Sequence, residues 1–502
     1  MSRDRLNLIR HIVKLLCKKE KISINRLVLP FVAFVTLFFC IYENTIASDK
    51  VVSVYYYSWW GNTGYTHWPD GYLGEKLLPP QPPYLDEYNS NSDVLVKKHL
   101  EWSQSYGIDN WICSWWGWGP WNEIDTIIRS QIATNVKEYN TTFCLLYESG
   151  NLLKFQNDRI VFDDEDIAKL RSDFDYIATT YFSNPSYYRI NNRPVVYFYL
   201  TRVFTGEYAH ALQLLRQDMI ARGYDIYIVG DEVYWDSPDQ TRIAAFDAIT
   251  AYNMHGPWQY AGYPANTNFI DDVSEIFSQY SAIANNLGVD FIPNTTPGFN
   301  DRAVRLNVNH YIIPTQIHPD SNNVSTFYQF TKMAINHVDS SINAIDITSF
   351  NEWHEGSQIE PTIVAAPTNT DISSSGQDYT LGFTYEGYGT RYLDIVRILL
   401  SDIPSETQEQ VRSLPRSFLL EQNYPNPFNA CTKIEFSIPY DEFVTLEIFN
   451  LLGERIATLV SIDLLAGSHQ TEWNAGNVPG GVYFYQLNAG EFVQTRKLIL
   501  LR

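Results

Sequence analysis

From Val51 to about Leu400 one pattern recurs: a short β-branched or aromatic run, a few polar residues, then a longer segment with helical spacing. The runs are "VVSVYYYSWW", "IDNWICSWW", "TTFCLLYE", "RPVVYFYL", "DIYIVGD", "FDAITAY", "VDFIPNTTPG" and "AIDITSF". Between them lie "SDVLVKKHLEWSQSYG", with a Ser/Asp start and a Gly stop, "EIDTIIRSQIATNVKEY" and "EYAHALQLLRQDMIARG". Further helices are expected from about Asp164, around Ser274 to Leu287 and around Thr326 to His337. Eight strands separated by helices predict an α/β chain built as a (β/α)8 TIM barrel of about 350 residues. In that architecture the loops at the C-terminal ends of the strands carry the chemistry. Trp59, Trp115, Glu148, Asp231, Tyr252, Pro297 and Glu352 fall just past strand ends, so all would share one rim.

The stretch "DITSFNEWHEGSQIE", Asp346 to Glu360, places four carboxylates, a His and a Trp at the end of the last strand. Glycosidic cleavage commonly uses two carboxyl groups, one protonating the leaving oxygen and one acting at or near the anomeric carbon. Glu352 and Glu355 fit that pair only if the chain turns after Phe350, since a continuing strand would point them apart. Two acids in one cleft also raise one pKa by mutual repulsion, which supplies a proton donor near neutral pH. The same spacing suits a capped or salt-bridged loop; position at a strand end and aromatic company favour the chemical reading. A zinc-protease motif fails because Gln358 stands where its second His belongs, so no metal is expected and His354 reads as a loop or substrate contact. "FDDED", Phe162 to Asp166, lacks the Gly and spacing of an EF-hand and reads as a charged helix start. No cofactor is expected.

Trp59, Trp115 and Trp116, from the clusters "YYYSWWGN" and "CSWWGWGPW", are read as walls on which a sugar ring stacks, because a pyranose offers an apolar CH face. Glu148 is a third acid on the rim, with either a structural or a substrate-contact role. Asn351, beside the acids, joins the substrate contacts. Against 36 basic residues stand 57 acidic ones, a formal charge of -21 that argues against a nucleic-acid partner. Aromatics make up 15% of the chain, and an acidic, aromatic-rich surface suits neutral glycans.

Residues 1–47 read as an export signal: scattered Lys and Arg to Arg26, an apolar run from Leu27 to Tyr42, and a small-residue cleavage site ending at Ala47, with an over-extended start or an uncleaved anchor as the alternatives because the basic stretch is long. After processing no stable membrane span is expected. Cys113, Cys144 and Cys431 give no disulfide framework and no metal spacing. The barrel is assigned to 48–401, a polar Pro-containing linker to 402–417, and a small Ig-like β-sandwich to 418–502, where short alternating segments are divided by Gly, Asn and Pro.

"ITSFNEWHEGSQIEP" closely resembles the signature of glycoside hydrolase family 99, the endo-α-1,2-mannosidases and mannanases, and the likeness extends through "YYYSWWGN", "YNSNSDVLVKKHL", "FIPNTTPGFNDR" and "YGTRYLDIV". The resemblance implies a (β/α)8 barrel and cleavage with retention but without a covalent enzyme intermediate. It implies that Glu352 deprotonates the substrate 2-hydroxyl, which attacks C1 to give a 1,2-anhydro sugar. Glu355 would protonate the leaving oxygen and then activate water. Tyr57, Trp115, Glu148 and Tyr252 match positions that contact the −1 or −2 sugar. "YESGN" departs from the family's usual Tyr/Ile-Glu-Pro-Tyr, which leaves the −2 sugar open. The tail, with "FLLEQNYPNPFNACTKIEFSIP" and "GGVYFYQL", resembles the C-terminal sorting domain of the type IX secretion system. That resemblance implies the secretion machinery as a partner and a secreted or cell-surface enzyme of a bacterium. Two alternatives stand beside this reading: a hydrolase of another α-linked glycan, and a non-catalytic glycan-binding surface protein on the same barrel.

Overall fold

Eight parallel strands take the places the pattern predicts: β1 (Val51–Tyr56), β2 (Asn110–Trp115), β3 (Thr142–Tyr147), β4 (Arg193–Phe198), β5 (Tyr227–Asp231), β6 (Ala248–Thr250), β7 (Asp290–Ile292, resuming at Asn294–Thr295) and β8 (Ala344–Ile347). The computed structural model describes residues 50–501 apart from 62–66, 120–122, 253, 255–267, 309, 318–324, 401–417, 439–441, 465–466, 477 and 491. The expected signal, 1–47, and the linker, 402–417, lie outside the described residues.

The sheet closes through a break in β7. Its first half pairs with β6 (Ala248 opposite Asp290) and its second half with β8 (Asn294 opposite Asp346). Pro293 separates them; it has no N–H to give a ladder, yet its carbonyl accepts Asp346 N at 3.0 Å. β8 then pairs with β1 (Val51 opposite Ala344), completing the barrel.

Helices α1 (Asp93–Tyr106), α2 (Glu123–Ile127), α3 (Asp164–Thr180), α4 (Tyr208–Ala221), α5 (Gln240–Ile243), α6 (Phe269–Leu287), α7 (Thr326–Ile335) and α8 (Arg391–Leu400) follow the strands in order. The cap signals match their geometry. Ser92 accepts Leu95 N ahead of α1, Gly107 ends it at φ 78°, and Asp163 of "FDDED" accepts the Glu165 and Asp166 amides ahead of α3. One predicted helix is irregular: after α2 the chain passes through a π turn at Ile128–Ile132, a short α turn and a 3-10 turn at Val136–Tyr139. Its many β-branched residues crowd the preceding turn and weaken a regular helix.

Parity along each strand decides what faces the barrel axis. Inside, Tyr55 packs edge-on against Tyr197 (6.1 Å) and Tyr252 (4.9 Å). Below them Asp346 accepts from Tyr197 Oη at 3.2 Å and Thr250 Oγ1 at 3.1 Å. Burial pushes this carboxyl up to about 8. The first acid of the quoted stretch is therefore not on the rim. Outside, Tyr56 stacks on Trp111 at 4.0 Å, and Trp111 Nε1 donates to Ser103 of α1.

The tail forms a three-stranded and a five-stranded sheet around a second core of Ile434, Phe436, Leu446, Ile448, Tyr485 and Leu487. The strands Cys431–Ile438 and Gly481–Ala489 alternate buried residues with exposed or half-buried ones, as a sandwich requires. The strands Arg455–Leu464 and Gly467–Asn474 complete the two sheets.

Candidate active site

After β8 the chain makes the turn that a two-carboxylate site needs. Ser349 N reaches Ser357 O at 2.7 Å, Ile359 N reaches Ser349 O at 2.9 Å and Glu360 N reaches Phe350 O at 2.8 Å, so the stretch 350–360 closes on itself as a loop. Ser349 Oγ accepts Glu352 N at 2.8 Å, and Glu352 Oε1 accepts His354 N at 3.1 Å. The turn past Glu355 uses Gly356 at φ 60°. A side chain there would come within 3.1 Å of Asn300 O, while Asn300 N donates to Glu355 O at 2.6 Å.

Glu352 is 2% exposed, and its Oε2 has no hydrogen-bond partner among the described residues. Glu355 Oε2 accepts from Tyr252 Oη at 3.1 Å, and Tyr252 Oη in turn accepts from Tyr57 Oη at 2.5 Å. Burial first, and repulsion from Glu355 second, raise the Glu352 pKa well above the ordinary carboxylate value. Burial also raises Glu355, to about 6, against the opposing pull of Arg305. Glu148, fully enclosed and hydrogen bonded by Ser114 Oγ at 2.6 Å, is pushed up to about 8. His354 is held down to about 4 by burial and is neutral.

Ser114, Glu148, Tyr57, Tyr252, Glu352 and Glu355 thus converge on one end of the barrel. Trp59 and Trp116 line the same end, 5.5 Å apart, with Trp59 also 4.6 Å from Tyr57 and Trp116 Nε1 donating to Ser114 Oγ. His354 packs against Trp59 and Trp60.

Two expected substrate contacts sit elsewhere. Since Ser114 faces inward, Trp115 must face outward; it is fully buried, donates to Asp125 Oδ1 at 2.8 Å and packs on Tyr147 and Tyr176. Trp115 is a core residue between barrel and helices, not a sugar wall. Asn351 is likewise fully buried: its amide exchanges bonds with the Tyr57 backbone (2.8 and 2.9 Å), its Nδ2 reaches Tyr88 Oη and its carbonyl accepts Trp60 Nε1 at 2.8 Å. It positions Tyr57 and does not present its amide to a ligand. Trp115→Phe should therefore lower stability by about 1–2 kcal/mol, through a lost buried hydrogen bond and poorer packing. Its KM should stay at the wild-type value; a raised KM with an unchanged Tm would return Trp115 to the binding surface.

Arg305 was not foreseen. It pairs with Asp301 Oδ2 at 3.0 Å, His310 meets the same oxygen, and the Arg305 charge lowers both Glu352 and Glu355. Its i, i+4 relation to Asp301 was the one available signal. Among the described residues a single trio, His67, Asp70 and His354, brings metal-type donor atoms within 4.8 Å of one another. His67 Nδ1 already meets Asp70 Oδ2 at 3.2 Å and His354 Nε2 meets His67 O at 3.0 Å.

A family model described as Glycosyl hydrolase family 99 matches residues 77–386, and one described as Secretion system C-terminal sorting domain matches 422–501. Rat glycoprotein endo-alpha-1,2-mannosidase is 24% identical over 353 residues, covering 64% of this chain and 69% of that protein. Human glycoprotein endo-alpha-1,2-mannosidase-like protein is 24% identical over 343 residues, covering 62% and 68%. Among solved structures, the GH99 endo-alpha-mannosidase from Bacteroides thetaiotaomicron in complex with bis-tris-propane superposes with a TM-score of 0.50 at 20% identity, covering 73% of this chain and 99% of that one. A glycoside hydrolase-like protein superposes at 0.52 and 19% identity, covering 71% and 95%. At these identities the superpositions show a shared fold.

Proposed function

The chain belongs to glycosyl hydrolase family 99, and from that premise we propose that it is an exported endo-α-mannosidase cleaving α-1,2 linkages in mannan or N-glycans, with Glu352 and Glu355 as the reacting acids. The observation that carries the reading is the closed 350–360 loop, which holds Glu352 and Glu355 near enough for their charges to repel and leaves Glu352 Oε2 buried and unpartnered among the described residues. Such an oxygen is a ready acceptor for a sugar hydroxyl.

The proposed reaction is substrate-assisted. Glu352 takes the proton of the 2-hydroxyl as O2 attacks C1; the C1–O bond to the leaving sugar breaks, and Glu355 gives its proton to that oxygen. Water then attacks C1 of the 1,2-anhydro sugar and passes its proton to Glu355, while O2 regains its proton from Glu352. Two inversions at C1 give net retention. In the empty pocket the single proton of the pair is favoured on Glu352, because Glu355 alone has the Tyr252 hydroxyl as a donor. The reaction needs it on Glu355, and a 2-hydroxyl donating to Glu352 Oε2 supplies the bias by stabilising that carboxylate. Tyr57, Glu148, Tyr252, Trp59, Trp116 and His354 are proposed to bound the sugar.

A pH profile follows. Below about 6 Glu355 gains a proton while Glu352, held higher, keeps its own, so the pair has no base. kcat/KM is expected to fall on that side with a limb near pH 6, and on the alkaline side as the pair loses its last proton. A flat profile from pH 5 to 8 would contradict the assignment.

We further propose that residues 1–47 direct export, that 48–401 form the catalytic unit, 402–417 the linker, and 418–502 a type IX sorting unit that takes the enzyme to the cell surface or beyond. The family match at 422–501 supports the last point. The deciding experiment is incubation of the purified chain with α-1,2-linked mannan and glucosylated high-mannose glycans, reading released oligosaccharides by mass. Disaccharide release supports the proposal and identifies the −2 sugar; binding without release favours the non-catalytic alternative.

A further inference from the structure

Of the four carboxylates in Asp346–Glu360, the chemistry uses two and the barrel core one; Glu360 is left. It is fully buried and yet not idle. Its Oε2 accepts from Trp353 Nε1 at 2.9 Å and from Tyr88 Oη at 2.6 Å, and its Oε1 faces His99 Nε2 at 3.1 Å. His99, also fully buried on α1, meets Tyr56 Oη of β1 at 3.0 Å through its other ring nitrogen. One carboxylate therefore ties three separate segments together: the stretch before α1, α1 itself, and the 350–360 loop.

The point of attachment on that loop matters. Trp353 lies between the two reacting acids, is 2% exposed, and packs against Trp68 and Tyr72. Its indole N–H is held by the side chain of the residue that closes the loop, Glu360, whose own amide is bonded to Phe350 O at 2.8 Å. Rotation of the 352–355 turn would have to break this bond or move the loop base. A wholly buried carboxylate is costly unless every lone pair is used, and well-packed apolar residues often stabilise a fold as well or better. Retaining one here suits a geometric task.

We infer that Glu360 is a positioning residue for the reaction, its carboxylate fixing the Trp353 indole and so the relative placement of Glu352 and Glu355. This rests on the proposed roles of those two acids. A displacement of about 1 Å at reacting groups can cost about a hundredfold in rate, so the effect belongs in kcat more than in KM.

The test uses the full chain and α-1,2-linked mannan oligosaccharides. Trp353→Phe removes the indole N–H and gives up some of the packing on Trp68 and Tyr72, a loss that the folded fraction reports separately. It should lower kcat at least tenfold with KM within about twofold, and accelerate amide hydrogen exchange in 350–360 while the barrel strands stay protected. Glu360→Gln, which keeps an oxygen for the indole, should retain most of the kcat that Glu360→Leu loses. Wild-type kcat in Trp353→Phe, a loss matched only by a smaller folded fraction, or unchanged exchange in the loop would each overturn the inference. Should the wild type release nothing from mannan, the functional proposal fails on its own, and the exchange measurement still decides whether the carboxylate holds the loop.

Discussion

Glu355→Gln is expected to lower kcat on α-1,2-linked mannan by roughly three orders of magnitude while leaving KM within a few-fold of wild type. The amide matches the carboxyl in size, and its oxygen can still accept from Tyr252 Oη, which now bonds Glu355 Oε2 at 3.1 Å. In the proposed mechanism what is lost is the proton for the leaving oxygen and the base for the second step. A leaving group that departs without protonation, such as a dinitrophenolate, should recover much of the first step but not the opening of the anhydro sugar. The variant carries a second signature. Repulsion from Glu355 is the lesser cause of the raised Glu352 pKa, so a neutral amide should let Glu352 ionise at lower pH than it does in the wild type, and the acid limb of residual activity should report Glu352, still raised by burial, in place of the Glu355 limb near 6. Undiminished turnover of natural substrate would remove Glu355 from the chemistry.

The parts of this architecture governed by local rules were legible in the sequence. Strand runs, the Ser92 and Asp163 caps and the Gly107 stop report the chain's own short-range chemistry, and the structure places them where that chemistry does. The errors arise where one residue of register or a distant partner decides. Trp115 was read as lying beyond its strand, but β2 runs through it, and the parity set by inward Ser114 turns the indole into the helix layer. Asn351 has the chemistry of a ligand contact, yet its amide is spent on Tyr57 and Tyr88, more than 250 residues away. Nothing local announces that. Arg305 lies in the connection after β7, where no periodicity points to the acids it affects. The His99–Glu360 contact, with a separation of 261 residues, is equally invisible before the barrel closes.

Glu352→Gln is expected to be at least as damaging, by roughly three to four orders of magnitude in kcat, and by a different route. Glu352 is proposed to act on the substrate's own 2-hydroxyl, so an amide at this position leaves the nucleophile protonated. A better leaving group should then rescue little, in contrast to Glu355→Gln, because the missing event is the approach of O2 to C1. The same logic makes a prediction about the wild type. An oligosaccharide methylated on, or lacking, the 2-oxygen of the −1 sugar should bind and remain uncleaved, although a direct carboxylate nucleophile would still form a glycosyl-enzyme from it. The pocket favours the first outcome. Glu352 Oε2 is buried and has no partner among the described residues, which suits the acceptor of a sugar hydroxyl, and its raised pKa suits a base once that hydroxyl has shifted the pair's proton to Glu355. Cleavage of the 2-blocked substrate, or efficient rescue of Glu352→Gln by a dinitrophenyl leaving group, would make Glu352 something other than the base for O2 and would replace the anhydro sugar with a covalent intermediate.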